Sequence, residues 1–222
     1  MAKLRVGVLA SGGGTDLQSI IDASEKNMID AEVVVVISDN KDSYALKRAE
    51  KHKIKNFFVD PKNKNKEDFD KEIDKILENF KVGLVVGAGF MRMISACFVR
   101  KWYGKLINIH PALLPSFKGV NGQKDALDYG VKISGCTTHF MDEKMDSGPI
   151  ILQAAVKVMP KDDRDALAQR ILEVEHQILP RTIDLFAKGR LKIDGRKVII
   201  KKGDSWKYEY KTFADVLYSE GY

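Results

Sequence analysis

The sequence has few cysteines and no long hydrophobic run. Cys97 and Cys136 are its two cysteines, too few for a disulfide framework and outside any CxxC or Cys/His cluster. We therefore predict that both are buried thiols and that the chain holds no metal. No apolar run approaches the roughly 20 residues that span a bilayer, and the apolar stretch before Ser11 is too short for a signal peptide. These absences predict a cytoplasmic protein with no membrane partner.

The composition is that of a globular protein with an excess of positive charge. Hydrophobic residues make up 44% and charged residues 31% of the 222 residues, which argues against a disordered chain or a fibre. The net charge is +6, and the excess of basic residues is greatest from Lys51 to Lys66, a segment with six lysines and one acidic residue, Asp60. This segment lacks the interleaved aromatic residues of a base-stacking platform. We interpret it as a solvated face and predict a small anionic ligand, with no nucleic-acid partner.

Short apolar runs alternate with amphipathic segments through the first half of the chain. The runs are rich in Val, Ile and Leu and bounded by turns, as strands are, and the segments between them have helical spacing. Strict alternation predicts a doubly wound, mostly parallel α/β sheet with a Rossmann-like N-terminal half. The predicted strands are Leu4–Ala10, Glu32–Ile37, Asn56–Val59, Val82–Gly87 and Leu106–Ile109, and the predicted helices are Leu17–Ser24, Tyr44–His52, Glu67–Phe80 and Ser95–Trp102.

The pattern changes beyond Pro115. We predict a long C-terminal helix over Asp163–Lys188, interrupted near Pro180 because proline removes a helical hydrogen bond. A β-hairpin made of Leu191–Ile200 and Ser205–Tyr210 follows, with a tight turn at Asp194-Gly195. The remaining predicted elements are a short helix, Gln123–Tyr129, and two strands, Ser134–Phe140 and Ile150–Val158.

A glycine-rich loop, Ser11-Gly12-Gly13-Gly14-Thr15-Asp16, separates the first predicted strand from the first helix. Ligands of doubly wound sheets bind where strands end, and the N–H groups of a helix N-terminus attract anions. Because three consecutive glycines let a ligand approach the backbone, we predict a phosphate site here. The spacing is neither GxGxxG nor GxxxxGK[ST], although Asp39 after the second strand keeps a dinucleotide interpretation open.

The segment Asn108-Ile109-His110-Pro111 ends the fifth predicted strand. Residues 108 and 110 of a strand project to the same side, so an amide donor and an imidazole would face one pocket. Asn can stabilise a developing oxyanion, and His can relay a proton. From the acidic loop Met141–Pro149, Asp146 could reach His110 and favour its charged form.

Together these segments resemble the phosphoribosylglycinamide formyltransferase family, whose members are folate-dependent. Asn-x-His-Pro followed about 36 residues later by Asp-x-Gly-Pro is specific to folate-dependent formyl transfer and its hydrolytic relatives. The resemblance covers the chain to about Lys192. Its motifs are Ser11–Gln18, Gly89–Ser95, Asn108–Pro115, Thr138–Phe140, Asp142–Pro149 and Glu175-His176 with Leu179-Pro180.

The resemblance implies direct attack of the glycinamide ribonucleotide amine on the formyl carbon of 10-formyltetrahydrofolate, as part of purine synthesis. Asn108 would donate to the oxyanion, His110 would pass a proton to the departing folate nitrogen, and Asp146 would stabilise the charged His110. We expect one domain over residues 1–222, with a phosphate-binding half to about residue 100 and a catalytic and folate-binding half beyond it. A monomer or a homodimer fits this organisation.

The same resemblance assigns the two substrate sites. The ribonucleotide would be held by Gly13, Gly14, Thr15, Asp16, Lys66 and Glu175, with Glu175 on its amine. The folate would be held by Phe90, Met91, Arg92, Met93, Ile94, Asn108, Asp142 and Glu143. The family usually has Asn where this chain has Asp16, and a carboxylate beside a phosphate is unfavourable unless it turns away to cap the helix.

Three alternatives remain from sequence alone. A 10-formyltetrahydrofolate hydrolase shares the Asn, His and Asp, but normally has an extra N-terminal domain for which a first strand at Leu4 leaves no room. A methionyl-tRNA formyltransferase would need more than the roughly 70 residues after Leu152. A dinucleotide-binding module, from a different functional class, rests on the glycine loop and Asp39.

Overall fold

The computed structural model describes residues 2–203 and the backbone of residues 216–218. The predicted strand over Ser205–Tyr210 lies outside the described residues. The strands within them are β1 Leu4–Leu9, β2 Ala31–Ser38, β3 Lys55–Phe58, β4 Leu84–Gly87, β5 Leu106–His110, β6 Ile133–Phe140, β7 Ile150–Lys157, β8 Leu191–Asp194, β9 Lys197–Ile200 and β10 Val216–Tyr218. The helices are α1 Thr15–Glu25, α2 Tyr44–Lys51, α3 Lys66–Asn79, α4 Ala96–Lys101, α5 Gly122–Tyr129 and α6 Arg164–Ala187.

Eight strands form one sheet in the order β10-β7-β6-β5-β4-β1-β2-β3. The pairs from β3 to β5 are parallel, and β5-β6, β6-β7 and β7-β10 are antiparallel. The predicted mostly parallel, doubly wound α/β sheet is thereby confirmed. Chain order reverses between β1 and β4, so the loops after these strands diverge and leave a crevice, where ligands of such sheets bind.

Apolar residues fill both faces of the sheet. On one face, α1 and α6 cover Val8, Val86 and Ile107. On the other, α3 and α4 supply Phe69, Leu77 and other side chains that pack over Leu9, Val85 and Leu106. Because both layers are anchored in this way, the strand ends between them form a fixed frame for a site.

The third glycine of the glycine loop is required by the fold itself. Gly14 precedes α1 with φ of +67°, a left-handed conformation that favours glycine, and a Cβ there would lie 2.7 Å from Ala45 Cβ. A Cβ on Gly12 or Gly13 would meet nothing within 4 Å. These two positions therefore have open space in front of them, as a ligand-binding loop needs.

Two predictions for the C-terminal half can be compared with the structure, the interrupted long helix and the β-hairpin. The long helix is not interrupted at Pro180, because α6 runs unbroken from Arg164 to Ala187. Ile178, Leu179 and Ile183 around the proline are fully buried, and that burial offsets the one hydrogen bond that proline removes. The predicted hairpin within Leu191–Ile200 is present as β8 and β9, which pair as a separate two-stranded sheet.

The prediction of two buried thiols is wrong for one of them. Cys136 is buried on β6, whereas Cys97 is exposed. The buried face of α4 carries Phe98 and Val99, which leaves Cys97 toward solvent, where its Sγ lies 3.4 Å from Arg100 Nη2.

Candidate active site

A cleft opens at the carboxyl edge of the sheet, beside the point where chain order reverses. Its walls come from the loops after β4 and β5 and from the loop between β6 and β7. The lining segments are Gly89–Ile94 with Val99, Asn108–Pro111, Gly119 and Val120, His139, and Met141–Asp146. All of the predicted folate-site residues and all three predicted catalytic residues line this one cleft.

Asn108 and His110 reach the cleft from β5. In the antiparallel register with β6, Asn108 lies opposite His139 and His110 lies opposite Thr137. Since side chains alternate along a strand, the four side chains project from one face of the sheet. The pairing adds His139, to which the sequence interpretation assigned no role.

Both ring nitrogens of His110 have partners. Nε2 lies 2.8 Å from the backbone carbonyl oxygen of Phe117, and Nδ1 lies 3.4 Å from Asp146 Oδ2. A carbonyl and a carboxylate only accept hydrogen bonds. Each ring nitrogen therefore faces a hydrogen-bond acceptor, and His110 itself is only 4% exposed.

Asp146 joins three parts of the site. Its Oδ2 accepts the Gly119 N–H at 2.8 Å as well as facing His110, and its Oδ1 lies 3.7 Å from His139 Nε2. The residue has φ of +47°, a left-handed conformation that Asp and Asn tolerate better than other non-glycine residues. Asp146 thus connects the loop after β5 with the acidic loop between β6 and β7.

His139 orients the amide of Asn108. Its Nδ1 lies 2.9 Å from the Phe140 carbonyl oxygen and must donate, and burial lowers the pKa of His139, which keeps the ring neutral. Nε2 is then an acceptor, 3.4 Å from Asn108 Nδ2. This network assigns Nδ2 of Asn108 as the atom that faces His139, and it leaves the second N–H of the amide for a ligand.

The wall from Phe90 to Ile94 is attached to the glycine loop. Ser11 Oγ accepts the Met91 N–H at 2.9 Å, and the Ser11 N–H is donated to the Gly89 carbonyl at 3.0 Å. Met91 and Met93 are 65% and 53% exposed, so they face the cleft and solvent rather than the core. Arg92 lies over the Phe69 ring, 4.9 Å from its centroid.

The predicted ribonucleotide residues do not line this cleft. Gly13, Gly14 and Thr15 form the exposed or half-buried loop at the start of α1. Lys66 is the exposed first residue of α3. Glu175 is buried on α6, and with Asp16 it belongs to a separate cluster beneath the glycine loop.

Asp16, Glu175 and His176 form that cluster, which we call the acid cluster. Asp16 Oδ1 lies 3.8 Å from His176 Nε2, and both atoms are buried with no hydrogen-bond partner among the described residues. Burial raises the pKa of Asp16 to about 7. Burial and the neighbouring Asp16 charge raise the pKa of Glu175 well above its ordinary value.

The acid cluster is not held by an ion pair, despite the short distance between Asp16 and His176. Burial and the positive charge of Arg48 lower the pKa of His176, so both partners are shifted toward their neutral forms. Burial also raises the pKa of Cys136, and the charges of Glu175 and Asp16 add to that rise. The cluster therefore retains protons that solvated carboxylates would release.

The other acidic residues of the cleft contact neighbouring side chains and backbone. Glu143 Oε1 accepts from Arg100 Nη1 at 2.8 Å, which joins the acidic loop to α4. Asp142 Oδ1 accepts the Lys144 N–H at 2.9 Å. Residues 2–203 contain no group of three or more His, Cys, Asp or Glu side chains arranged to hold a metal ion, and no helix in that part of the chain is long and apolar enough to cross a membrane.

Comparisons with known proteins agree with this geometry. Residues 4–183 match the Formyl transferase family. Phosphoribosylglycinamide formyltransferase of Haemophilus influenzae is 39% identical over 190 residues, which cover 85% of this chain and 90% of that protein. The trifunctional purine biosynthetic protein adenosine-3 of Gallus gallus is 43% identical over 192 residues, 86% of this chain but only 19% of that longer protein.

Solved structures match the fold as well. Glycinamide ribonucleotide transformylase 1 from Symbiobacterium toebii superposes with a TM-score of 0.89 at 44% identity, covering 90% of this chain and 95% of that one. A formyltetrahydrofolate deformylase from Pseudomonas syringae has a TM-score of 0.84 at 28% identity, covering 90% of this chain and 66% of that one.

Proposed function

This chain belongs to the formyl transferase family, and from that premise we propose that it transfers the formyl group of 10-formyltetrahydrofolate to the amine of glycinamide ribonucleotide, in purine biosynthesis. The observation that carries the proposal is the convergence of Asn108, His110 and Asp146 on one cleft. The high identity to phosphoribosylglycinamide formyltransferases over most of both chains supports the same substrates.

The proposed reaction forms one C–N bond and breaks another. The amine nitrogen attacks the formyl carbon, and the carbonyl electron pair moves to oxygen in a tetrahedral intermediate. When the carbonyl reforms, the bond to the folate nitrogen breaks, the amine loses a proton and the folate nitrogen gains one. No covalent bond to the enzyme is needed.

Asn108 stabilises the oxyanion of that intermediate. One N–H of its amide is directed to His139 Nε2, which fixes the plane of the amide before the substrate arrives. The second N–H remains for the oxygen that becomes charged. Because the donor is already oriented, little reorganisation opposes the reaction, which is the main source of oxyanion-hole catalysis.

His110 supplies the proton that the departing folate nitrogen needs. Asp146 faces Nδ1 and stabilises the charged ring, so that Nε2–H is the transferable proton. In the described structure that N–H is directed to the Phe117 carbonyl. Proton transfer to the folate therefore requires the Phe117 carbonyl to leave Nε2.

The two substrates approach this centre from different sides. We assign the folate to the cleft, with Phe90–Ile94, Asp142 and Glu143 around the pterin, and the ribonucleotide phosphate to Gly13, Gly14, Thr15 and Asp16. Glu175 is assigned to the ribonucleotide amine and Lys66 to the edge of the site.

The two halves of the chain divide these tasks within one domain. The half to about residue 100 binds phosphate, and the half beyond residue 100 binds folate and carries out catalysis. We propose a cytoplasmic monomer or homodimer whose partners are these small molecules, without nucleic acid, membrane or metal.

A steady-state assay tests the proposal directly. The purified chain is mixed with 10-formyltetrahydrofolate, or a 10-formyl folate analogue, and glycinamide ribonucleotide, and the change in pterin absorbance is followed. We expect turnover that depends on glycinamide ribonucleotide and yields one N-formyl product per folate released. A water-only reaction serves as the control, and equal turnover without the ribonucleotide would identify a hydrolase instead.

Hydrolysis is the second candidate because the deformylase structure has the same fold. It is less favoured at 28% identity than the transfer reaction at 44%. The comparisons with known proteins favour formyl transfer over the dinucleotide-binding alternative.

The acid cluster makes the stability of the folded chain depend on pH, and substitution of Asp16 by Asn should remove the contribution of Asp16 to that dependence. In the unfolded chain the Asp16 carboxyl ionises near pH 4, whereas burial raises its pKa to about 7 in the folded chain. Between these values the folded chain binds more protons, so its free energy of unfolding falls as the pH rises from about 4 to about 7. Asp16→Asn should therefore raise the Tm by on the order of 5 °C at pH 8, with little difference near pH 4.

Thermal unfolding monitored by circular dichroism at both pH values measures this effect. Asp42→Asn is the matched control, because Asp42 is an exposed carboxylate in the loop before α2. Its Tm should differ from that of the unchanged chain by a similar small amount at both pH values. A difference for Asp16→Asn that stays constant from pH 4 to pH 8 would contradict the proton-retaining cluster.

A further inference from the structure

The carbonyl groups of the glycine loop are tied to α2. The Gly12 carbonyl oxygen accepts from Ala45 N at 3.1 Å and from Ser43 Oγ at 2.9 Å. The Gly13 carbonyl oxygen accepts from Arg48 Nε at 2.8 Å. No functional role for α2 is predicted from the sequence alone.

These contacts determine where the loop N–H groups point. In a trans peptide the C=O and the following N–H point in opposite directions. Because the carbonyls of Gly12 and Gly13 point toward α2, the N–H groups of Gly13 and Gly14 point away from it. Neither N–H has a hydrogen-bond partner within residues 2–203, so both are available to an anion.

Arg48 is itself held in a fixed orientation. Its Nη1 donates to Gln18 Oε1 at 3.1 Å, and its guanidinium lies 4.9 Å from the centroid of the Tyr44 ring. Nε and one N–H of Nη1 are thus used, while Nη2 has no partner among the described residues. The residue is half-buried, and its charge is close enough to lower the pKa of His176.

We propose that Arg48 is a positioning residue for the ribonucleotide phosphate: it fixes the peptide between Gly13 and Gly14, so that the loop N–H groups face the ligand. The ligand class is a phosphate monoester, whose oxygens would accept from the loop N–H groups on the side away from α2, while the charge of Arg48 acts across the peptide without touching the ligand. Arginine suits this task, because its planar fork donates to the Gly13 carbonyl through Nε and to Gln18 through Nη1 at the same time. The assignment rests on the proposed function, in which the glycine loop binds the substrate phosphate.

Substitution of Arg48 separates the two substrates. Arg48→Ala should raise the KM for glycinamide ribonucleotide about thirtyfold, as expected for loss of charge-assisted hydrogen bonds. The KM for the folate and kcat should change by no more than about twofold, since Arg48 does not line the folate cleft. Arg48→Lys should raise the ribonucleotide KM only about fivefold, because lysine keeps the charge but lacks the fork.

Lys47→Ala is the matched control. Lys47 is the preceding residue on α2, is exposed, and lies 5.9 Å from the centroid of the same Tyr44 ring. It has no hydrogen bond to the glycine loop in the part of the chain that the structure describes. Its substitution should change both KM values by no more than about twofold. An equal change in Lys47→Ala and Arg48→Ala would instead indicate a general effect of charge on α2.

Calorimetric titration with ribose 5-phosphate measures the phosphate site without turnover. The unchanged chain should bind it, and Arg48→Ala should weaken the affinity at least tenfold while its circular dichroism spectrum stays unchanged. If Arg48→Ala binds ribose 5-phosphate as well as the unchanged chain does, the inference is overturned. If binding depends on Arg48 but no formyl transfer occurs, the phosphate assignment stands and the proposed function fails.

Discussion

Replacing Asn108 with alanine is expected to lower kcat by about two to three orders of magnitude, the range measured when an oxyanion donor is removed. The substitution removes both N–H groups of an amide that His139 holds in place. Asn108 is half-buried in the middle of β5 and its backbone pairs with β4 and β6, so the strand should persist without the side chain. The KM for each substrate should change by less than about threefold, because the lost interaction forms fully only in the transition state.

Gly87→Ala provides a second, independent test of the same donor. A Cβ at position 87 would lie 2.7 Å from Asn108 Oδ1, so the amide would have to turn away from its present orientation. We expect kcat to fall at least tenfold although Asn108 is still present. Asn56→Ala, on the edge strand β3, is the control and should leave kcat unchanged. Near-normal turnover in Asn108→Ala would remove Asn108 from the proposed mechanism.

The parts of this site that follow local periodicity are predictable from sequence. The alternation of strands and helices predicts which loops lie at the carboxyl edge, and the two-residue repeat of β5 predicts that Asn108 and His110 face the same side. The glycine run marks the start of α1. Each of these inferences needs only the residues within one or two neighbouring elements, which the sequence provides directly.

The parts that depend on pairing between distant elements are not predictable in this way. His139 faces Asn108 only because β6 runs antiparallel to β5 in one particular register, and a shift of one residue would direct it to the other face. Arg48 reaches the Gly13 carbonyl across 35 positions of sequence. Pro180 stays helical because buried neighbours outweigh a local preference, a balance that the local sequence does not contain.

Replacing Asp146 with asparagine should lower kcat by about a hundredfold or more, since it removes the charge that stabilises protonated His110. Asparagine keeps the size of the side chain and tolerates the positive φ of +47° at this position. It can also still accept the Gly119 N–H through its amide oxygen. The variant therefore changes the charge facing His110 while leaving the loop geometry supported, which alanine would not do.

A comparison with alanine distinguishes an electrostatic role of Asp146 from a structural one. Asp146→Ala removes both the charge that faces His110 and the acceptor of the Gly119 N–H, whereas Asp146→Asn removes the charge alone. If the charge carries the effect, kcat of the two variants should agree within about threefold. Asp125→Asn, which changes an exposed carboxylate in the first turn of α5, should leave kcat unchanged. Near-normal kcat in Asp146→Asn together with a strong loss in Asp146→Ala would show that Asp146 supports the loop alone and does not act through its charge.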